Sequence, residues 1–151
     1  MKGSRGRGTL QNEKPPVFGI IQRSGELRIW MLENVQRATI EPYIRETIRA
    51  GSTVFTDEYA IYANLAQIGY GHKTVNHGAG EYARDEEGDG FHEVHVNTIE
   101  GAWSLLRSWL RPHRGISQKC LPIFLKFFEF THNARKRGKT LVTSLLQALL
   151  T

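Results

Sequence analysis

Two acidic residues of this 151-residue chain stand where carboxylates can do chemistry. Asp57 directly follows the short β-prone run Thr53–Thr56, and Glu100 lies near the start of the amphipathic stretch His95–Arg111. A carboxylate at the end of a buried strand lies at the sheet edge where open α/β proteins place ligands. Carboxylate oxygens suit Mg²⁺, and paired metal ions can promote displacement at a phosphodiester. If Asp57 and Glu100 converge, they predict a metal-dependent phosphoryl-transfer site.

Each carboxylate also has a purely structural interpretation. Asn97-Thr98-Ile99-Glu100 matches a capping box, in which the first side chain caps a helix and the fourth reaches back to it. Asp57 can likewise cap a helix over residues 58–66. Local sequence leaves both interpretations open, because only the convergence of the two carboxylates would make a site.

Helical spacing over residues 97–110 places Glu100 beside cations. The apolar stripe of this helix is Ile99, Trp103, Leu106 and Leu110, and the adjacent stripe is Glu100, Ser104, Arg107 and Arg111. This second stripe is either a salt-bridged surface or the place where Arg107 and Arg111 hold a phosphate near a metal ion.

The net charge of +5 is unevenly distributed. Residues 1–14 and 107–139 are strongly basic, and the rest of the chain is net acidic. The densest tract is "NARKRGK" (133–139), which includes Arg135, Lys136 and Arg137. Such a tract binds DNA phosphates without reading sequence, although charge alone does not separate this role from a solvated basic surface.

Composition predicts one folded unit, residues 17–151, preceded by a flexible basic arm over residues 1–16. A single cysteine, Cys120, excludes an intrachain disulfide and the thiolate zinc patterns. Without thiolates, a zinc site built from His72, His77, His92 and His95 is disfavoured. His77 and His95 lie either near an active-site loop formed by residues 76–94 or on an ordinary surface. No signal peptide or membrane span is visible, which predicts a cytoplasmic protein.

The hydrophobic pattern predicts a mixed α/β domain. The first half is expected to form a hairpin over 17–22 and 27–32, a helix from Thr39 ended by Gly51 with Pro42 in its first turn, and a strand over 53–56. A helix over 58–66, a strand over 71–75 and a structureless loop over 76–94 are expected next. Three further helices are expected over 97–110, about 118–134 and 140–150. Trp103, Phe124, Phe127, Phe128 and Phe130 are expected in the core, with base stacking as the alternative.

Six motifs occur in order along the chain. They are "KGSRGRG", "KPPVFGIIQRSGELR", "AGSTVFTDEYAIYANL", "HKTVNHGAGEYAR", "HVNTIEGAWSLLRSWLR" and "FFEFTHNARKR". This ordered set resembles the DDE transposases of bacterial insertion sequences, in their ISXO-like branch, from Lys2 to Leu149.

The resemblance implies a ribonuclease-H-like mixed sheet with flanking helices, which binds two Mg²⁺ or Mn²⁺ ions and cuts and joins DNA at element ends and target sites. Asp57 of "FTDEY" resembles the second catalytic aspartate, and the third acidic position falls in "NTIEG". Asn97 and Glu100 are both candidates there, and Glu100 is favoured as metal ligand because a carboxylate binds Mg²⁺ better than a carboxamide. Arg107 is expected to contact a DNA phosphate.

One family motif has no counterpart. The first catalytic aspartate is expected on a strand upstream of "KGSRGRG", at the centre of the sheet. The chain is therefore expected to be an N-terminally truncated core with an incomplete sheet and site, inactive alone. The alternative is a non-catalytic DNA-binding remnant, and a homo-oligomer is compatible with either.

Overall fold

The computed structural model describes residues 15–57, 59–75, 83–84, 94–95 and 97–138, with single helical positions at 140, 143, 146, 147 and 150. The strands are β1 (Val17–Ile21), β2 (Leu27–Met31), β3 (Thr53–Asp57), β4 (Gly71–Val75), β5 (Ala83–Arg84) and β6 (Val94–His95). The helices are α1 (Arg37–Thr47), α2 (Asn97–Leu110) and α3 (Leu121–Arg137), and 3₁₀ turns occupy Ala60–Tyr62, Ala66–Ile68 and Arg111–His113. The expectation of a mixed α/β domain is confirmed.

The hairpin of β1 and β2 is covered by helices on both faces. Leu27 and Ile29 are fully buried against α2 and α3, with Val17 and Ile21 packed beside them. Phe18, Ile20 and Trp30 alternate with these residues and pack instead in the cluster that contains α1. Both strand runs are mainly apolar because each face packs against helices, and Arg28 of β2 is the one charged residue in the two strands.

β3 and β4 form a parallel pair, with Thr53 opposite Gly71 and Asp57 opposite Val75. The crossover between them buries Leu65 and Tyr70 in the same cluster as Ile40 and Ile44 of α1. The predicted helix over 58–66 is wrong, because two 3₁₀ turns occupy the described part of this crossover. Packing of Leu65 and Tyr70 into the core sets the path of the chain here and overrides local helix propensity.

α2 lies on β1 at a point of close approach. An added Cβ on Gly19 would lie 2.6 Å from Cη2 of Trp103 and 3.5 Å from Cδ1 of Ile99. Glycine at this position therefore lets the Trp103 ring rest on the strand backbone. Ala102 and Leu106 of α2 complete the buried cluster with Leu125 and Phe128 of α3.

Other predictions need correction. Phe127 and Phe130 are 55% and 53% exposed, because α3 buries its opposite side against β2 and α2. α1 begins at Arg37, so Pro42 lies inside it, and the helix ends at Thr47, ahead of Gly51. α3 begins at Leu121, with Pro122 in the first turn, where its missing N–H costs little.

Part of the predicted loop over 76–94 is also structured. β5 and β6 pair antiparallel, with Ala83 opposite His95 and Arg84 opposite Val94. The rest of that loop, including His77 and His92, lies outside the described residues. Among the described helices, none is long and apolar enough to cross a membrane.

Candidate functional site

Asp57 is the last residue of β3, at the carboxyl end of the parallel pair, and its side chain is exposed. Val54 packs in the cluster around α1, and Thr56, two residues on, is buried at 9% exposure. Because side chains alternate along a strand, Asp57 and Phe55 point to the opposite face of β3, away from α1.

The carboxylate of Asp57 accepts a hydrogen bond from the backbone N–H of Tyr59 at 3.3 Å. This distance is long for a hydrogen bond. The capping interpretation is therefore met only in part: Asp57 binds the N–H of Tyr59, which precedes a 3₁₀ turn and not an α-helix.

A polar pair on β3 and β4 supports the backbone at Asp57. Oγ1 of Thr56 donates to the carbonyl of Asp57 at 2.8 Å and lies 2.8 Å from Nε2 of His72. Since a hydroxyl carries one hydrogen, Nε2 of His72 is then the donor to Oγ1. Burial lowers the pKa of His72 below its usual value, which favours the neutral ring.

Glu100 lies in the first turn of α2, and its side chain is exposed. The predicted stripes are confirmed: Glu100, Ser104, Arg107 and Arg111 are all exposed, beside an apolar stripe packed in the core. Asn97 is the first residue of α2, but its side chain lies outside the described part of the chain. The choice between Asn97 and Glu100 therefore stays a prediction.

The predicted DNA contacts lie at two places. Arg107 is on α2, and Arg111 opens the 3₁₀ turn that follows it. Arg135, Lys136 and Arg137 form the exposed last turn of α3. Arg137 differs from its neighbours, because its Nε donates to Oε1 of Glu26 at 2.7 Å and ties the helix end to the hairpin.

Two buried polar residues of α3 were not singled out from sequence. Asn133 binds the backbone of Leu27, and Glu129 accepts the backbone N–H of Ile29 at 2.7 Å and Nζ of Lys126 at 2.9 Å. Both are 6% exposed. The sequence feature that could have identified Glu129 and Asn133 is their spacing: two polar residues four apart on the apolar side of a helix indicate buried hydrogen bonding.

Within the described ranges, no group of three or more His, Cys, Asp or Glu side chains could hold a metal ion. Two carboxylates are nevertheless compatible with Mg²⁺, which keeps several waters and is often bound by one or two carboxylates and substrate phosphates. Asp57 and Glu100 are each of the carboxylate type that such an ion takes.

Comparison with known proteins identifies the chain's relatives. The family model of the ISXO2-like transposase domain matches residues 1–133. A protein in the transposable element ISH50 of Halobacterium salinarum is 35% identical over 150 residues, which are 97% of this chain and 49% of that protein. A transposase-like protein of Haemophilus influenzae is 28% identical over 103 residues, 68% of this chain and 77% of that protein.

The chain spans about half the length of its halobacterial relative. No solved structure matches it. Both relatives and the family model agree, and the match covers most of the chain, so the protein belongs to the ISXO2-like transposase family of insertion sequences.

Proposed function

We propose that this chain is the catalytic domain of a DNA transposase, with a ribonuclease-H-like fold and a site for Mg²⁺ or Mn²⁺ built on Asp57 and Glu100. The observation that carries the proposal is the position of Asp57, exposed at the carboxyl end of a parallel strand pair. Membership of a transposase family supports the reaction class that we propose, DNA strand cleavage and transfer.

The layers of the fold support this pairing of carboxylates. Asp57 faces away from the α1 side of β3, and α2 covers the face of the hairpin opposite α1. The proposal sets Glu100, in the first turn of α2, on the same side as Asp57, which requires the hairpin and the parallel pair to lie side by side in one layer. The antiparallel hairpin and the parallel pair are also the two kinds of pairing that a mixed ribonuclease-H-like sheet combines.

The bound metal ions would supply Lewis-acid stabilisation of the attacked phosphate and lower the pKa of a bound hydroxyl or water. The chain's own residues do the rest. Asp57 and Glu100 hold the metal, with Asn97 at the helix start as the other candidate, and Thr56 and His72 fix the backbone that carries Asp57. Arg107, Arg111 and the last turn of α3 hold DNA phosphates through charge.

Metal-dependent DNA binding and nicking by the 151-residue chain test this function. The substrate is a duplex that carries the element's ends, and Asp57→Asn and Glu100→Gln are compared with the wild type in Mn²⁺ and in EDTA. We expect Mn²⁺ to tighten DNA binding in the wild type, and each substitution to remove that gain. Glu46→Gln, an exposed residue of α1, is the matched control and should behave as the wild type.

Nicking separates the catalytic proposal from its alternative. Metal-dependent nicking that is lost in Asp57→Asn identifies an active strand-cleaving domain. DNA binding that is sensitive to salt but indifferent to Mn²⁺ identifies a non-catalytic DNA-binding domain and contradicts the metal site.

A further inference from the structure

The turn of the β1–β2 hairpin reaches the face of β3 that carries Asp57. Cζ of Arg23 lies 4.9 Å from the centroid of the Phe55 ring, within the range of a cation–π contact. Arg23 itself is exposed, and it belongs to the turn between the two strands. This contact joins the hairpin to β3 at a position two residues before the proposed metal ligand.

Phe55 and Asp57 lie on the same face because they are two residues apart on one strand, and such neighbours are separated by roughly 7 Å. Arg23, stacked on Phe55, therefore lies on the face of β3 that carries Asp57. Lys73 pairs with Phe55 on β4, so it adds a second cation to this face. Cations on the face that carries Asp57 can attract a phosphate to that face.

We propose that Arg23 binds a DNA phosphate beside Asp57 and is a substrate-positioning residue of the transposase site; this rests on the function proposed above. Stacking on Phe55 uses the flat face of the guanidinium, while its N–H donors lie in the plane of the group. A planar fork of donors suits the two oxygens of a phosphate. The aromatic ring fixes the side chain in advance, which lowers the entropic cost of ordering it on DNA.

Electrostatics gives the reason for a cation at this position. A phosphodiester that approaches Asp57 and Glu100 meets two like charges wherever metal ions have not yet neutralised them. Arg23 offsets that repulsion from the side of the hairpin, whereas Arg107 and Arg111 lie on α2 and just after it. In this proposal, cations of the hairpin turn and of α2 both contact DNA.

The test measures Kd against salt concentration for the 151-residue chain and a fluorescent duplex that carries the element's ends. Arg23→Ala should lower the slope of log K against log salt by about 0.9, the value for one phosphate contact in duplex DNA. Arg23→Lys should keep the slope but bind several-fold more weakly, since it keeps the charge and loses the fork. Arg49→Ala removes an exposed arginine next to α1 and should leave the slope unchanged.

Phe55→Leu shows whether stacking matters to DNA binding. We expect it to weaken binding in the wild type and to add nothing in an Arg23→Ala background, because the ring acts through Arg23. Thermal unfolding of each variant, measured alongside, separates this effect from a loss of stability.

An unchanged slope in Arg23→Ala, or additive effects of Arg23→Ala and Phe55→Leu on Kd, would overturn the inference. Failure of the function itself has another signature. If Asp57→Asn keeps the full gain from Mn²⁺ while Arg23→Ala loses one phosphate contact, Arg23 remains a DNA contact and the proposed metal site is wrong.

Discussion

Asn133 of α3 forms two hydrogen bonds with the backbone of Leu27 on β2, one through each end of its side-chain amide, both at 2.8 Å. Glu129, one turn earlier, accepts the next outward-facing N–H, that of Ile29. Side chains of α3 thus occupy the outer edge of β2 in the way that a neighbouring strand would. This arrangement fixes α3 on the hairpin and blocks pairing of that edge with another chain.

Replacement of Asn133 by alanine should lower the free energy of unfolding by about 2–4 kcal/mol, because two backbone groups of Leu27 lose their partners in a buried environment. Urea denaturation measures the loss. Asn133→Asp keeps one acceptor and should be destabilised too, since its carboxylate faces the Leu27 carbonyl. Glu46→Ala, on the exposed side of α1, should change stability little; an equal effect of Glu46→Ala and Asn133→Ala would contradict this account.

Gly19→Ala should destabilise the contact between α2 and β1. The new methyl group would lie 2.6 Å from the Trp103 ring, so we expect a loss of about 1–3 kcal/mol from overpacking. Trp103→Phe, a smaller ring, should recover part of that loss in the double variant. Gly101→Ala is the control: nothing lies within 4 Å of the added methyl group, and α2 should gain about 0.5–1 kcal/mol from helix propensity. Equal effects at Gly19 and Gly101 in urea denaturation would exclude the packing explanation.

Regular elements could be predicted from sequence where periodicity and burial agree. The hairpin and α2 follow their hydrophobic patterns, β4 covers the residues predicted for it, and the first helical residue of α2 is Asn97, as predicted. The crossover after Asp57 could not be predicted, because long-range packing of Leu65 and Tyr70 decides its conformation. Phe127 and Phe130 are apolar but exposed, and only the position of α2 and β2 shows which side of α3 is buried.

The candidate site could be predicted only in part, for a physical reason. Residue type and local context identify Asp57 and Glu100 as possible metal ligands, since strand ends and helix starts are local features. The contact of Arg23 with Phe55 joins the turn of one hairpin to a strand of another sheet. No spacing in the sequence encodes that contact, because the relative placement of the two sheets depends on the whole core.

Stability should fall as the pH is lowered from 7 towards 5. Burial lowers the pKa of both His72 and His132 below the ordinary value of 6.5, with Lys136 and Arg135 adding to the effect at His132. Below about pH 6.5 the unfolded chain binds protons that the folded chain resists, so the free energy of unfolding decreases until the folded-state pKa values are passed.

His132→Leu isolates one part of this pH dependence. Nε2 of His132 is buried and has no hydrogen-bond partner among the described residues, so leucine should fit without loss of a polar contact. We expect His132→Leu to be more stable than the wild type at pH 5, with a smaller difference at pH 8. A difference that is the same at both pH values, measured by urea denaturation, would show that protonation of His132 does not contribute.

The last turn of α3 should divide into DNA contacts and a structural contact. Arg135→Ala and Lys136→Ala should each lower the slope of log K against log salt by about 0.9, since each removes one phosphate contact. Arg137→Ala should change the slope less, because its guanidinium is already paired with Glu26. It should instead cost up to about 1 kcal/mol of stability, and Glu26→Gln should cost a similar amount. Equal slopes for all three alanine variants would contradict this division and mean that Arg137 leaves Glu26 to bind DNA. In that case Glu26→Gln should bind DNA more tightly than the wild type.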